Sequence, residues 1–173
     1  MRSKQNCLRQ MLSVLGIAWA LVCFLPGVAN ARTVRLGPPQ GGTTEARIEE
    51  MLRQTGYDFH RVKANSWYIE RAGKVLPRMR IIMGASSTSM AIGAVVAPKR
   101  NLRLSAEGLN QMMKLSYDFN YVRLCIDTDD DLIVMAQLKS GWLSVPELKD
   151  TIERVAAAAD RAYGELRPFI ATP

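Results

Sequence analysis

Tyr121-Val122-Arg123-Leu124-Cys125-Ile126-Asp127-Thr128-Asp129-Asp130-Asp131-Leu132 leads, through an apolar run ending at Leu138, to Ser144-Val145-Pro146-Glu147-Leu148. The period of two in Val122, Leu124 and Ile126 predicts a strand over 121–127, with Arg123 and Cys125 on its other side. Asp131 to Leu138, rich in Ile, Val, Leu and Met, predicts a second strand, and Thr128-Asp129-Asp130 joins the two as a hairpin with an acidic tip. Ser144 at the cap, Pro146 inside the first turn and Glu147 three residues after the cap form a capping box. Behind it Leu148, Ile152, Val155, Ala156 and Ala159 recur at helical spacing as far as Tyr163. That is a helix of about 20 residues and about 30 Å. It has one apolar face, which needs a sheet to lie on.

Upstream of the hairpin the same reading gives a helix, a meander of strands and another helix. Thr43 or Thr44 can cap a helix carrying Ile48, Met51 and Leu52, which Gly56 ends. Phe59 to Lys63, Trp67 to Glu70, Val75 to Met83 and Ser89 to Val96 read as strands, separated by Asn65-Ser66, Ala72-Gly73-Lys74 and the polar loop 84–88. Pro77 cannot donate to a ladder, so the third strand is expected at an edge near it. Ser105 is placed to cap a helix with Leu109, Met112 and Met113, ending near Leu115. The predicted class is α+β, with helices packed on a twisted antiparallel sheet in the order α-β-β-β-β-α-β-β-α.

The N-terminus carries an address. Met1 to Gln10 is basic and free of acids, Met11 to Leu25 is mostly apolar, Pro26-Gly27 breaks the run, and Ala29-Asn30-Ala31 offers small residues where a signal peptidase reads. Residues 1–31 therefore read as a secretory signal cleaved between Ala31 and Arg32. The apolar core is shorter than the ~18–20 residues a helix needs to cross a bilayer. Residues 32–43 read as a flexible leader, 44–166 as one domain and 167–173 as a C-terminal tail. The expected location is periplasmic or secreted, with membrane contact only during export.

Composition narrows the function. Of 173 residues 48% are apolar, too many for a disordered chain. Removing Arg2, Lys4 and Arg9 from a net charge of +7 leaves +4 on residues 32–173. A basic excess this small, on an exported chain, does not point to nucleic acid. Cys7 and Cys23 fall in the signal, so Cys125 alone remains: no intrachain disulfide can form, although an intermolecular one can. His60 is the single histidine, which rules out a multi-histidine metal site. Asp127 to Asp131 is not a calcium loop of the helix-loop-helix type, because Leu132 and Leu138 stand where Gly and Glu are required. Ser86-Ser87-Thr88-Ser89 lacks a nucleophile elbow, and Asp58 and His60 share the solvated side of a strand. No cofactor, metal or catalytic residue is expected.

The phrases Leu52-Arg53-Gln54-Thr55-Gly56-Tyr57-Asp58-Phe59, Leu109-Asn110, the hairpin 121–132 and Glu147-Leu148 together resemble the YbjN-type domain, whose fold is similar to the class I chaperones of type III secretion. The resemblance spans roughly residues 44–166. It implies helices on a twisted antiparallel sheet, allows a homodimer, and implies binding or regulation without catalytic residues. Most proteins of this fold are cytoplasmic, so an export signal departs from that pattern. The expected function is a non-catalytic binding protein for a protein or peptide client. Met112, Met113 and Trp67 are its candidate partner surface, because adjacent helix positions differ by ~100° and Met112 and Met113 do not share one buried stripe. The alternative is an anionic small molecule or lipid headgroup held on a basic sheet face of Arg71, Lys74, Arg78 and Arg80.

Overall fold

The computed structural model describes residues 45–171; the signal segment, the Ala31/Arg32 cleavage position, the leader and the Thr43/Thr44 cap lie outside them. Helix α1 (Glu45–Thr55) buries Ile48, Met51, Leu52 and Thr55 along one stripe, and Gly56 ends it at φ +80, where a side chain would be strained. Four strands follow: β1 (Phe59–Lys63), β2 (Ser66–Arg71), β3 (Met79–Ala85) and β4 (Ser89–Ala97). Helix α2 (Ala106–Asp118), strands β5 (Arg123–Ile126) and β6 (Leu132–Lys139) and helix α3 (Val145–Glu165) complete the expected order. The strands make a single sheet, β1-β2-β3-β4-β6-β5, in which every neighbouring pair is antiparallel.

Alternation along the strands sorts the sheet into two faces. Trp67, Ile69, Ile81, Ile92 and Val134 point to one side and are buried there. Helix α3 lies on that side against β3, β4 and β6 and packs on α1, burying Leu148, Ile152, Val155 and Ala159 completely. Leu148, Ile152 and Val155, removed from water, each contribute about 1.5–3 kcal/mol. Ser144 caps α3 by accepting from the Glu147 N–H at 3.3 Å, as the capping box requires.

The third strand lies between β2 and β4, not at an edge, and three further expectations are corrected. Strand β3 begins at Met79, not Val75, because the preceding N–H groups bond elsewhere. The Asp160 carboxylate on α3 accepts from Lys74 N at 3.0 Å and from Val75 N and Leu76 N at 2.8 Å each, and Pro77 has no N–H to offer. A Cβ on Gly73 would stand 2.1 Å from Asp160 Oδ1, so this clasp requires glycine. Secondly, residues 167–171 of the predicted tail pack onto the fold. Arg103 N donates to Phe169 O at 2.8 Å, Ala171 N donates to Asn101 O at 2.7 Å, and Ile170 is buried. Thirdly, α2 continues past Leu115 to Asp118. It buries Gly108 and Leu115 in place of the predicted Leu109 stripe, because it rests on β5 and on the Phe169 ring, off the centre of the sheet.

Candidate docking site on the second helix

Ser105 starts α2, its hydroxyl accepting from Gly108 N at 3.2 Å. Leu109, Met113 and Tyr117 follow at a spacing of four and so stack along one side of the helix. All three face solvent, at 45%, 72% and 89% exposure. Met112 is half-buried against the core, and with Met113, Ser116, Tyr117 and Leu124 it lines a groove of about 430 Å³ between α2 and edge strand β5. Ser116 Oγ donates to Leu124 O at 3.5 Å, tying the helix to that edge. At the far end Arg161 of α3 holds Asp118 at 3.0 Å and Glu165 at 2.6 Å. These contacts fix the helix in place while its apolar side remains open. Methionine suits such a surface, since an unbranched thioether adapts to irregular apolar partners.

Of the expected surface residues, Met112 and Met113 lie here and Trp67 does not. Trp67 is wholly buried between the sheet and α1, and its indole N–H donates to Glu49 Oε1 at 3.1 Å. Its parity with Ile69, two residues along the strand, is the sequence signal that places it inside. Leu109 and Tyr117 complete the exposed side of α2. Their spacing with Met113 is visible in the sequence, but spacing alone does not say which side of a helix is covered.

The four basic residues do not converge. Arg71 shares the parity of Trp67 and turns toward the helices, with Nη1 2.7 Å from Glu153 Oε2 and the guanidinium 5.4 Å from the Tyr57 ring. Tyr57 donates its hydroxyl to Glu153. Burial, reinforced by that carboxylate, pushes the Tyr57 phenol up to about 12, and the Tyr57 hydroxyl holds the Glu153 carboxyl below its usual range. Arg80 is on the opposite face, paired with Glu70 at 2.7 Å and lying 4.4 Å over the Tyr68 ring. Lys74 and Arg78 are exposed in the loop before β3. An anion would meet these cations singly, with Arg71 and Arg80 already neutralised.

His60 stacks on Tyr68 at 4.9 Å, 4.0 Å from the exposed Asp58 carboxylate. Cys125 is half-buried beside Ile133 on β6, and burial pushes its thiol up. The acidic hairpin tip is occupied by its own turn. Asp127 Oδ1 accepts from Asp129 N and Asp131 N at 2.9 Å each, Asp131 accepts from Lys99 N at 2.7 Å, and Asp130 pairs with Lys99 Nζ at 2.5 Å. Among the described residues no three His, Cys, Asp or Glu side chains gather closely enough to hold a metal ion, and no helix is long and apolar enough to cross a membrane.

Among the described residues, three helices against one side of a six-stranded antiparallel sheet, with one of them inserted between β4 and β5, define the class of this α+β domain. No protein-family model matches the chain, and no curated protein matches it. Solved structures do. YbjN from E. coli superimposes with a TM-score of 0.54 at 12% identity, covering 73% of this chain and 95% of YbjN. A chain of the heterodimeric ExoU–SpcU complex from the type III secretion system of Pseudomonas aeruginosa matches with a TM-score of 0.49 at 16% identity, covering 71% of this chain and 97% of that one. A chain of the ExsC–ExsE complex matches at 0.43 and 11% identity, covering 61% and 78%. The fold is YbjN-like, as the sequence resemblance implied.

Proposed function

We propose that this is an exported, non-catalytic binding protein, which captures a protein or peptide partner, or a second copy of itself, through α2. The observation that carries the reading is the open Leu109–Met113–Tyr117 stripe, with 72% of Met113 exposed on a helix whose C-terminal half is tied to β5 and α3. Helical apolar stripes are ordinarily turned to a core. A stripe that faces water on a helix tied to its neighbours has the geometry of a helix-packing interface. The groove beside it, along the free edge of β5, offers the partner a second contact. Export rests on the charged, apolar, breaker and small-residue order of residues 1–31, and with it the periplasmic or secreted location.

Two measurements test this. Expressed with its own N-terminus, the protein recovered from the cell envelope or medium should begin at Arg32; recovery of the intact N-terminus from the cytosol would end the export reading. In light scattering, Met113→Asp should dissociate a dimer formed through α2. If wild type is a monomer, the same variant should lose the partner crosslinked to wild type in the envelope. A partner that stays bound to Met113→Asp, with mass unchanged, would remove α2 as the site.

A further inference from the structure

Among the described residues nothing covers the side of the sheet turned away from α1 and α3, and its middle is not polar. One row crosses all six strands: His60 opposite Tyr68, Tyr68 opposite Ile82, Ile82 opposite Gly93, Gly93 opposite Met135, and Met135 opposite Arg123. The next row carries Val95, Ile133 and Cys125. Ile82 is 43% and Val95 36% exposed. An antiparallel sheet with one solvated face normally turns polar residues to it. Here the middle of that face is apolar, with a shallow floor at Gly84, Ala91 and Gly93 between the larger Ile82 and Met135. The floor is kept low by close packing, since a Cβ on Gly93 would stand 3.1 Å from Val134 O.

The charges around this apolar middle have a sign. Lys63 opposite Ser66, Arg80 on β3, Arg123 on β5 and Lys139 opposite Ser89 ring it; the carboxylates near them are Glu70, already paired with Arg80, and, just beyond the strand ends, Asp58 beside His60 and Asp127, which accepts from its own turn. Lys63, Arg123 and Lys139 have no carboxylate partner among the described residues. Arg123 donates to Gln137 at 3.5 Å, and Lys139 lies 5.1 Å over the Trp142 ring, which is itself 75% exposed. A second copy of the same face would set cation against cation, and a basic partner would do likewise. From this complementarity we infer that the uncovered sheet face is a second docking surface, built for an acidic, apolar polypeptide segment. Its aliphatic side chains lie on the Ile82–Gly93–Met135 floor and its carboxylates reach Lys63, Arg123 and Lys139. This surface is distinct from α2 and does not depend on the reading given to that helix.

Fluorescence anisotropy with two labelled peptides of equal length, one alternating leucine with glutamate and the other leucine with lysine, tests it on the full chain. The glutamate peptide should bind and weaken with added salt, and the lysine peptide should not bind. Ile82→Glu, and separately Arg123→Glu with Lys139→Glu, should each weaken binding by about tenfold or more, whereas Met113→Asp should leave it unchanged. The rim variant alters exposed side chains only, so it reports on the face even if Ile82→Glu disturbs folding. Equal binding of both peptides, or no binding of either, overturns the inference. Loss of binding in Met113→Asp would move the peptide to α2. A fall in solution mass on Ile82→Glu would assign the face to a second copy, against the charge argument.

Discussion

Helices α3 and α2 start alike and end differently. Each is capped by a serine whose hydroxyl accepts from the N–H three residues on, Ser144 from Glu147 and Ser105 from Gly108. Each carries apolar residues at spacings of three and four. Yet α3 buries eight residues, including Leu148, Ile152, Val155 and Ala159, whereas α2 buries Gly108 and Leu115 and leaves Leu109, Met113 and Tyr117 in water. The difference lies in what each helix rests on. The long helix crosses the middle of the sheet, and the shorter one sits at edge strand β5 and the C-terminal turn. Periodicity therefore reports that a helix has an apolar side, and tertiary placement decides whether that side is core or interface.

The comparison breaks first at Ile152. This side chain is fully buried under α3, and Ile152→Ala removes its packing and leaves a cavity, so unfolding in denaturant should show a loss of about 2–5 kcal/mol. A loss no larger than that of a surface substitution would mean that α3 does not cover the sheet. Next in size is Asp160, whose carboxylate holds the 74–76 loop to α3. The Leu76, Val75 and Lys74 N–H groups keep its carboxyl below the usual aspartate range. A folded pKa below the unfolded value gives a contribution present above the unfolded value, which is lost as pH falls through the folded one. Asp160→Asn should therefore cost about 1 kcal/mol at neutral pH, and the deficit relative to wild type should vanish in acid. A deficit independent of pH would show that the carboxylate charge is not what binds the loop.

The two caps sharpen the contrast further. Ser144→Ala and Ser105→Ala each remove one hydroxyl from an orphan N–H, about 1 kcal/mol. The first should lower global stability, because α3 unfolds with the core. The second should appear mainly as faster amide exchange within residues 106–118, because α2 has less buried beneath it and can open by itself. Equal effects on global unfolding would show α2 to be as deeply integrated as α3.

The contrast between the helices also marks how far the sequence is legible. The stripe of α3 and the capping box at Ser144 define the long helix directly, and alternation in 121–138 defines the hairpin. Alternation also sorts side chains that composition leaves together. Trp67 and Arg71 share the parity of Ile69 and so face the helices, while Arg80, between the buried Met79 and Ile81, faces away. Strand parity alone therefore divides Arg71 from Arg80, and a single basic face built from both is excluded by the spacing of their neighbours. The Asp160 clasp is not legible in this way, because it joins a loop to a helix 84 to 86 residues along the chain, and no local pattern reports that distance. The candidate site is intermediate: Met112 and Met113 stand out as a pair that one stripe cannot hold, but the open side becomes definite only with β5 in place.

The smallest expected effect is the most informative about α2. Met113→Ala removes a side chain that is 72% exposed, so in dilute protein it should change stability by less than about 0.5 kcal/mol. If a second copy covers the stripe, mass action alters that result, because association stabilises only the folded chain. The wild-type melting temperature would then rise with protein concentration, and the gap between wild type and Met113→Ala would widen with it. A gap that is small and constant over the concentration series would exclude self-association through α2 and leave the stripe to a different protein. A gap already large in dilute solution would contradict the exposure of Met113 itself, and with it the contrast between the two helices.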